Sequence, residues 1–209
     1  KFITQGGRNL NGSVRPSGNK NEALPVLTAT LLTAEPVILR NVPRIRDVLV
    51  VCEILQKQGA QVEWLDDNTV EICCADVRGG ALDPDLCARI RASILFAGPM
   101  VARFGDAILH PPGGDVIGRR RIDTHLHVLQ ALGTDLTVDS VYEFRAGRLQ
   151  GADIFMDEAS VTATENAIMA ASLAKGTPIL RNAACEPHVC ALARLLVQMG
   201  ARIEGIGSN

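Results

Sequence analysis

Pro36-Val37-Ile38-Leu39-Arg40-Asn41 returns late in the chain as Pro178-Ile179-Leu180-Arg181-Asn182. Each is a short apolar run opened by proline and closed by Arg-Asn, which reads as a strand running into a turn. The segments after these two strands repeat as well. Gly59 lies 18 residues after Asn41, and Gly200 lies 18 residues after Asn182. Gly133 stands between them, 74 residues after Gly59 and 67 before Gly200. Within the first copy Val48, Val51, Ile54 and Leu55 have helical spacing, and Gly59 is placed to end that helix as the residue after its cap. The pattern predicts three copies of a helix–strand–helix–strand–strand unit of roughly 70 residues. One such unit cannot cover its own sheet and helices; three packed together can. The third copy stops at Asn209 short of its expected last strand, so the intact protein is expected to continue.

Composition narrows the class. The chain has 209 residues, 47% of them hydrophobic and 3% aromatic, enough for one large domain or two small ones with a core of Leu, Val, Ile and Ala. A net charge of −2 argues against bulk binding of nucleic acid. No apolar run approaches the ~20 residues that span a bilayer. The start, Lys1-Phe2-Ile3-Thr4-Gln5-Gly6, lacks a signal-peptide core and an initiator Met, as expected of a processed chain or a fragment. The six cysteines form no CxxC pair and are expected to be small buried hydrophobes in a reducing cytosol. His125 and His127 form an HxH pair, but in a segment that reads as a helix start, where i and i+2 do not share a face. Metal binding by this pair is not expected.

Residues 1–19 read as two short strands, Phe2-Ile3-Thr4 and Leu10-Asn11-Gly12-Ser13-Val14, with glycine turns between them. Ser17-Gly18-Asn19-Lys20-Asn21 then delivers Lys20 and Asn21 to the start of a helix marked by Ala23, Leu24, Leu27, Leu31 and Leu32, a favourable place for an anion. Taken alone, the same residues are a surface lysine beside an N-capping asparagine. Strands are expected near 60–65 and 69–74, one helix over 84–104 with Arg89 and Arg91 on its polar side, and a strand at 106–110. A helix over 123–132, strands near 134–138 and 141–145, and the strand-like Ala152-Asp153-Ile154-Phe155-Met156-Asp157 come next.

Between the strand at 106–110 and the helix at 123 lies Pro111-Pro112-Gly113-Gly114-Asp115-Val116-Ile117-Gly118-Arg119-Arg120-Arg121. Prolines and glycines make it a loop. Three consecutive arginines can hold phosphate or carboxylate, and Asp115 places a candidate proton donor beside them. A charged surface turn is the alternative; a loop between an apolar strand and an apolar-periodic helix is where a scaffold displays chemistry.

These motifs in this order resemble the enolpyruvyl transferases. The resemblance rests on Ser17 to Pro25, on Arg91-Ala92-Ser93-Ile94 with Gly98 to Gly105, on Pro112 to Gly118, on Asp123 and His125, and on Ser160-Val161-Thr162-Ala163-Thr164-Glu165-Asn166. It covers the whole chain, as about the first half of a member. Asn21-Glu22-Ala23-Leu24 fits the branch acting on UDP-N-acetylglucosamine; the branch of aromatic amino-acid synthesis favours Lys-Ser with an Arg soon after.

The resemblance implies a mixed α and β fold, an inverse α/β barrel of three βαβαββ units. Residues 20–209 would be most of one domain, and residues 1–19 would join a second, largely absent one. It implies transfer of the enolpyruvyl group of phosphoenolpyruvate to the 3-hydroxyl of UDP-N-acetylglucosamine by addition and elimination, releasing phosphate and needing no metal or organic cofactor, in the cytoplasmic first committed step of peptidoglycan synthesis, with consequences for cell shape and division. By that likeness Lys20, Asn21 and Arg120 bind phosphoenolpyruvate, and Asp115, Lys20 and Arg120 are catalytic. Asn21, Arg91, Arg120, Arg121, Ile122, Asp123, Thr124, Glu158, Ser160, Val161 and Thr162 bind UDP-N-acetylglucosamine. The base and further arginines would come from the other half, so these 209 residues alone are expected to be inactive.

Three departures stand out. Asp115 occupies a position that is usually Cys, whose thiolate the epoxide fosfomycin alkylates. Arg121 replaces a Pro, and Glu158 and Thr162 replace a Lys and a Gly. The lost lysine leaves a non-catalytic sugar-nucleotide-binding paralogue as the alternative. An RNA-end-processing relative would want stacking aromatics, and the chain has one Trp and one Tyr.

Overall fold

A computed structural model describes residues 2–114 and 121–209. The repeat seen in the sequence is present in the strand pairing. In the first copy β1 (Val37–Leu39) is followed by helix α2 (Arg46–Lys57) and the hairpin β2 (Gln61–Trp64) and β3 (Val70–Cys73), with helix α1 (Lys20–Ala29) preceding them. The sheet order is β1-β3-β2, antiparallel throughout. The second copy has β4 (Gly80–Ala81), α3 (Pro84–Arg89), α4 (Ala97–Phe104), β5 (Asp106–Leu109), α5 (Asp123–Ala131), β6 (Asp135–Val138) and β7 (Tyr142–Arg145). Here β7 lies on β5 as β3 lies on β1, and β4 adds a parallel strand, giving β4-β5-β7-β6. In the third, β8 (Asp153–Phe155) and β9 (Ile179–Arg181) make the same parallel pair around α6 (Val161–Ala171), and α7 (Pro187–Gln198) comes after them.

Matching backbone marks the copies. Asn41 and Asn182 both sit in the left-handed region, at φ 58 and 56, where Asn is among the few non-glycine residues tolerated. Gly59, Gly133 and Gly200 follow their helices at φ 102, 96 and 106.

The strands alternate as half-buried sheets should. Val70 and Ile72 of β3 face the core while Glu71 and Cys73 are more open. Val48, Val51, Ile54 and Leu55 of α2 are fully buried, as their spacing predicts. α1, α4 and α6 lie inside: α1 and α6 each contact the Arg91–Phe96 segment that leads into α4, and α4 packs along α6. Ala163, Ala167 and Ala170 let α6 be buried on several sides. The architecture is thus helices enclosed by three separate sheets; among the described residues these do not close into one continuous barrel.

Two expectations need correction. Residues 84–104 are not one helix. The chain breaks at Ile90, at φ −138 and ψ 143, and continues as a 3-10 segment, Arg91–Phe96, before α4. The Ser93 hydroxyl lies within bonding distance of the carbonyls of Cys87 and Ile90 and ties off that break. Nor do residues 2–19 form strands: they are irregular and mostly exposed, with Phe2 101% and Leu10 99% accessible. An extended segment becomes a strand only when a neighbour completes its hydrogen-bond ladder, and no described residue supplies one.

Cys52, Cys74, Cys87 and Cys190 are buried, as expected of small hydrophobes, whereas Cys73 is half-buried and Cys185 exposed, against that expectation. Burial pushes the Cys52 and Cys87 thiols up to about 11, so neither is a thiolate nucleophile at neutral pH. No helix among the described residues is long and apolar enough to cross a membrane.

Candidate functional site

Helices α5 and α6 pack against each other, and both begin without a side-chain cap. Ile122 precedes α5 and has no acceptor to offer. Ser160 precedes α6, yet its hydroxyl makes no capping bond. Two helices are closed off, α1 by Asn19, which accepts from the Asn21 N–H, and α3 by Asp83, which accepts from the Leu86 N–H. α2, α4 and α7 also lack a side-chain cap, and what sets α5 and α6 apart is that they pack on each other with their first turns in contact, His125 against Thr162. Two uncapped first turns leave N–H groups and positive dipole ends available to an anion.

Side chains knit these starts together. Arg121 donates from Nε to Asp123 Oδ2 at 2.7 Å and reaches Asp157 Oδ2 at 3.6 Å. The Thr124 hydroxyl donates to the other Asp157 oxygen at 2.9 Å. Arg91, the first residue of the 3-10 segment, donates to the Arg121 carbonyl at 3.1 Å. Of the sequence-predicted segment, Ile122 and Thr124 are buried and peg it in place, while Arg121 and Asp123 are exposed. Asp123, with Asp157 and Glu158 nearby, holds the Arg121 guanidinium still more firmly protonated than usual. Glu158 is exposed, and Ser160, Val161 and Thr162 are partly so.

Beneath this surface lies a buried polar chain. The Asn166 side-chain oxygen accepts the Gly98 N–H at 2.9 Å, and its amide nitrogen donates to the Ile94 carbonyl at 2.8 Å. The same nitrogen lies 2.9 Å from His125 Nδ1, and His125 Nε2 lies 3.0 Å from Thr162 Oγ1. Burial, with Arg91 adding repulsion, pushes His125 down to about 3, so the ring is neutral. Both ring nitrogens are engaged within the protein, the opposite of a metal ligand; His127 is exposed on another face.

Lys20 and Asn21 open α1, as expected, with Asn19 as the cap. Lys20 forms an ion pair with Asp47, in the first turn of α2. α1 packs on the segment that Arg91 begins.

The loop after β5 is anchored at its stems. The Gly113 N–H donates to the Cys87 carbonyl at 3.1 Å, and a Cβ there would collide with the Ala88 carbonyl, so only glycine fits. Gly114, at φ 93, rests against the Arg91 backbone. Gly114 and Arg121 therefore both meet Arg91. Asp115 and Arg120, the predicted proton donor and substrate-binding arginine, lie outside the described residues.

Asp47, Asp157 and Asn166, together with the engaged state of His125, escaped the sequence reading. Asp47 and Asp157 have a local signal, each being an acid at or just before a helix start. The Asn166–His125–Thr162 chain has none, because its members are 41 and 37 residues apart.

Comparison with known proteins bears on this geometry. The family model described as EPSP synthase (3-phosphoshikimate 1-carboxyvinyltransferase) matches residues 4–209. A UDP-N-acetylglucosamine 1-carboxyvinyltransferase of Bradyrhizobium diazoefficiens is 57% identical over all of this chain, which covers 48% of that protein. One of Treponema denticola is 53% identical, again over the whole chain and 49% of the relative. The chain thus spans about half the length of the curated relatives it matches. Among solved structures, the enolpyruvyl transferase NikO of Streptomyces tendae superposes with a TM-score of 0.82 at 26% identity, over 95% of this chain and 47% of that one. An EPSP synthase of Acinetobacter baumannii shares the fold, with a TM-score of 0.73 at 17% identity.

Proposed function

Since the chain belongs to the EPSP synthase family of enolpyruvyl transferases, we propose that it is the N-terminal half of an enzyme that moves the enolpyruvyl group of phosphoenolpyruvate to the 3-hydroxyl of UDP-N-acetylglucosamine. The supporting observation is the meeting of three helix starts at Arg91, Arg121 and Asp157, with the uncapped turns of α5 and α6 side by side. That is a place for a nucleotide diphosphate: dipole ends and N–H groups for phosphate, with Arg91 close by, and exposed polar groups of Arg121 and Asp123 for the uridine.

In this reading Asn21, Arg120, Ile122, Thr124, Glu158, Ser160, Val161 and Thr162 complete the sugar-nucleotide site. Lys20, Asn21 and Arg120 take phosphoenolpyruvate. Asp115 protonates C3 of the enol phosphate while the sugar hydroxyl attacks C2 and gives its proton to a base of the other half; loss of a C3 proton then restores the double bond as the C2–O bond to phosphate breaks. The cations stabilise charge on phosphate and carboxylate, and the acid supplies the proton that addition requires. Residues 20–209 form most of one domain, and residues 1–19 belong with a second. The complete protein works in the cytoplasm at the first committed step of peptidoglycan synthesis, and cell shape and division depend on it.

The test is phosphate release by the full-length polypeptide given both substrates, with the enolpyruvyl sugar nucleotide identified by mass spectrometry. Turnover supports the proposal. Tight UDP-N-acetylglucosamine binding without turnover would instead identify a sugar-nucleotide-binding paralogue, the reading that Glu158 in place of a lysine favours.

A further inference from the structure

The buried polar chain fixes where hydrogens lie. Asn166 cannot be turned over: its oxygen faces an N–H donor, Gly98, and its nitrogen faces a carbonyl acceptor, Ile94. The group it presents to His125 Nδ1 is therefore an N–H donor, at 2.9 Å. Nδ1 must accept, which leaves the single proton of a neutral imidazole on Nε2. Nε2 then donates to Thr162 Oγ1, 3.0 Å away. With that lone pair occupied, the Thr162 hydroxyl keeps its own hydrogen for another acceptor. Among the described residues Oγ1 has no second partner. Thr162 is partly exposed in the first turn of α6, beside Ser160.

We propose that His125, oriented by Asn166, is a positioning residue that presets the Thr162 hydroxyl as a hydrogen-bond donor to a phosphate oxygen of the sugar nucleotide at the start of α6. This rests on the reading of that end of the molecule as a sugar-nucleotide site. Two features make the device effective. The histidine is 2% exposed and the asparagine fully buried, so water does not compete for the chain of bonds. Asn166 is held by Gly98 and Ile94, at the start of α4 and in the segment before it, so the donor direction is inherited from the inner helices rather than from a surface side chain. The hydroxyl thereby adds a directed donor to the N–H groups of α6, and it selects for a charged oxygen over a hydroxyl that would itself need an acceptor.

The experiment uses the full-length polypeptide and two probes, UDP-N-acetylglucosamine and uridine, which lacks phosphate. Thr162→Val keeps the side chain's shape and removes the donor. Calorimetry should show its dissociation constant for UDP-N-acetylglucosamine raised roughly tenfold or more, as for loss of one hydrogen bond to a charged group, with uridine affinity unchanged. Thr162→Ser should restore most of the loss. Nitrogen-15 spectra of the unliganded wild type should show His125 bare at Nδ1 and protonated at Nε2, with Nε2 moving when UDP-N-acetylglucosamine binds and staying when uridine does. Equal UDP-N-acetylglucosamine affinity in wild type and Thr162→Val, equal losses for both probes, or a proton on Nδ1 would overturn the inference while leaving the proposed function standing. A wild type with no affinity for UDP-N-acetylglucosamine would overturn both.

Discussion

Lys20 Nζ lies 2.5 Å from Asp47 Oδ2, joining the first residue of α1 to the first turn of α2. A cation at a helix start is on the unfavourable end of the dipole, and the Asp47 carboxylate offsets that. The pair is half-exposed, and such bridges contribute about 0–1 kcal/mol. Lys20→Ala is therefore expected to leave the melting temperature within a few degrees of wild type. In the full-length protein it should weaken phosphoenolpyruvate binding at least tenfold, because a charge-assisted contact to an anion is lost. Calorimetry on the folded variant decides it: unchanged phosphoenolpyruvate affinity would remove Lys20 from the site.

Asn166 should behave in the opposite way, as a residue on which folding depends. Its side chain satisfies the Gly98 N–H, the Ile94 carbonyl and His125 at once, all inside the core. Asn166→Ala strands several buried polar groups, each costing ~1–3 kcal/mol. A loss of about 3 kcal/mol or more in urea denaturation is expected. A loss under 1 kcal/mol would mean that water replaces the amide.

The sequence made the repeats legible because their ends are marked by backbone chemistry rather than by contacts. Asn41, Asn182 and the three glycines occupy left-handed conformations that few residues accept, so their spacing shows in the letters. The interruption at Ile90 was hidden, since apolar residues run through it as they would through a helix, and the Ser93 bonds that fix it are visible only in three dimensions. Of the candidate site, Lys20 and Asn21 were legible through helix-start chemistry, and the 121–124 segment only through the family likeness. Asp47 as the partner of Lys20, and Asn166 as the orienter of His125, depend on packing between helices distant in sequence. The roles of Asp115 and Arg120 rest on the family likeness, since both lie outside the described residues.

Two buried titratable groups set opposite limits on stability. Burial, with Glu186 nearby, raises Glu165 from 4.5 to about 8, and its Oε1 has no hydrogen-bond partner. A carboxyl raised in the folded state favours folding below 4.5, and that contribution is lost as pH rises toward 8. His125 is depressed from 6.5 to about 3, so its contribution is present above 6.5 and lost as pH falls toward 3. The slopes oppose each other between 4.5 and 6.5, giving a plateau there, with decline above it from Glu165 and below it from His125. Glu165→Gln should raise the urea midpoint at pH 8 relative to wild type, by on the order of a few kcal/mol of stability, and abolish the decline between pH 6.5 and 8. Parallel wild-type and Gln profiles across that range would show that Glu165 is not the group responsible.

The last prediction concerns Asp115 and separates the two jobs a residue in that loop can do. A thiolate is a strong soft nucleophile, whereas a carboxylate attacks an unactivated epoxide poorly. Either group can deliver a proton once it is desolvated or set against substrate anions. The full-length enzyme is therefore expected to turn over while resisting fosfomycin, with activity falling as pH rises through the substrate-bound ionisation of Asp115. Asp115→Cys should restore covalent inactivation and move that fall to higher pH, because an ordinary thiol ionises near 8.5 and a carboxyl near 3.9. Asp115→Ala should keep sugar-nucleotide affinity and lose ~10²–10⁴-fold in turnover, the usual contribution of a positioned acid. Intact-protein mass spectrometry after fosfomycin treatment with UDP-N-acetylglucosamine present, alongside rates for all three forms, checks each part. A rapid adduct on the native protein at Asp115, or full turnover by the Ala variant, would place the acid on another residue.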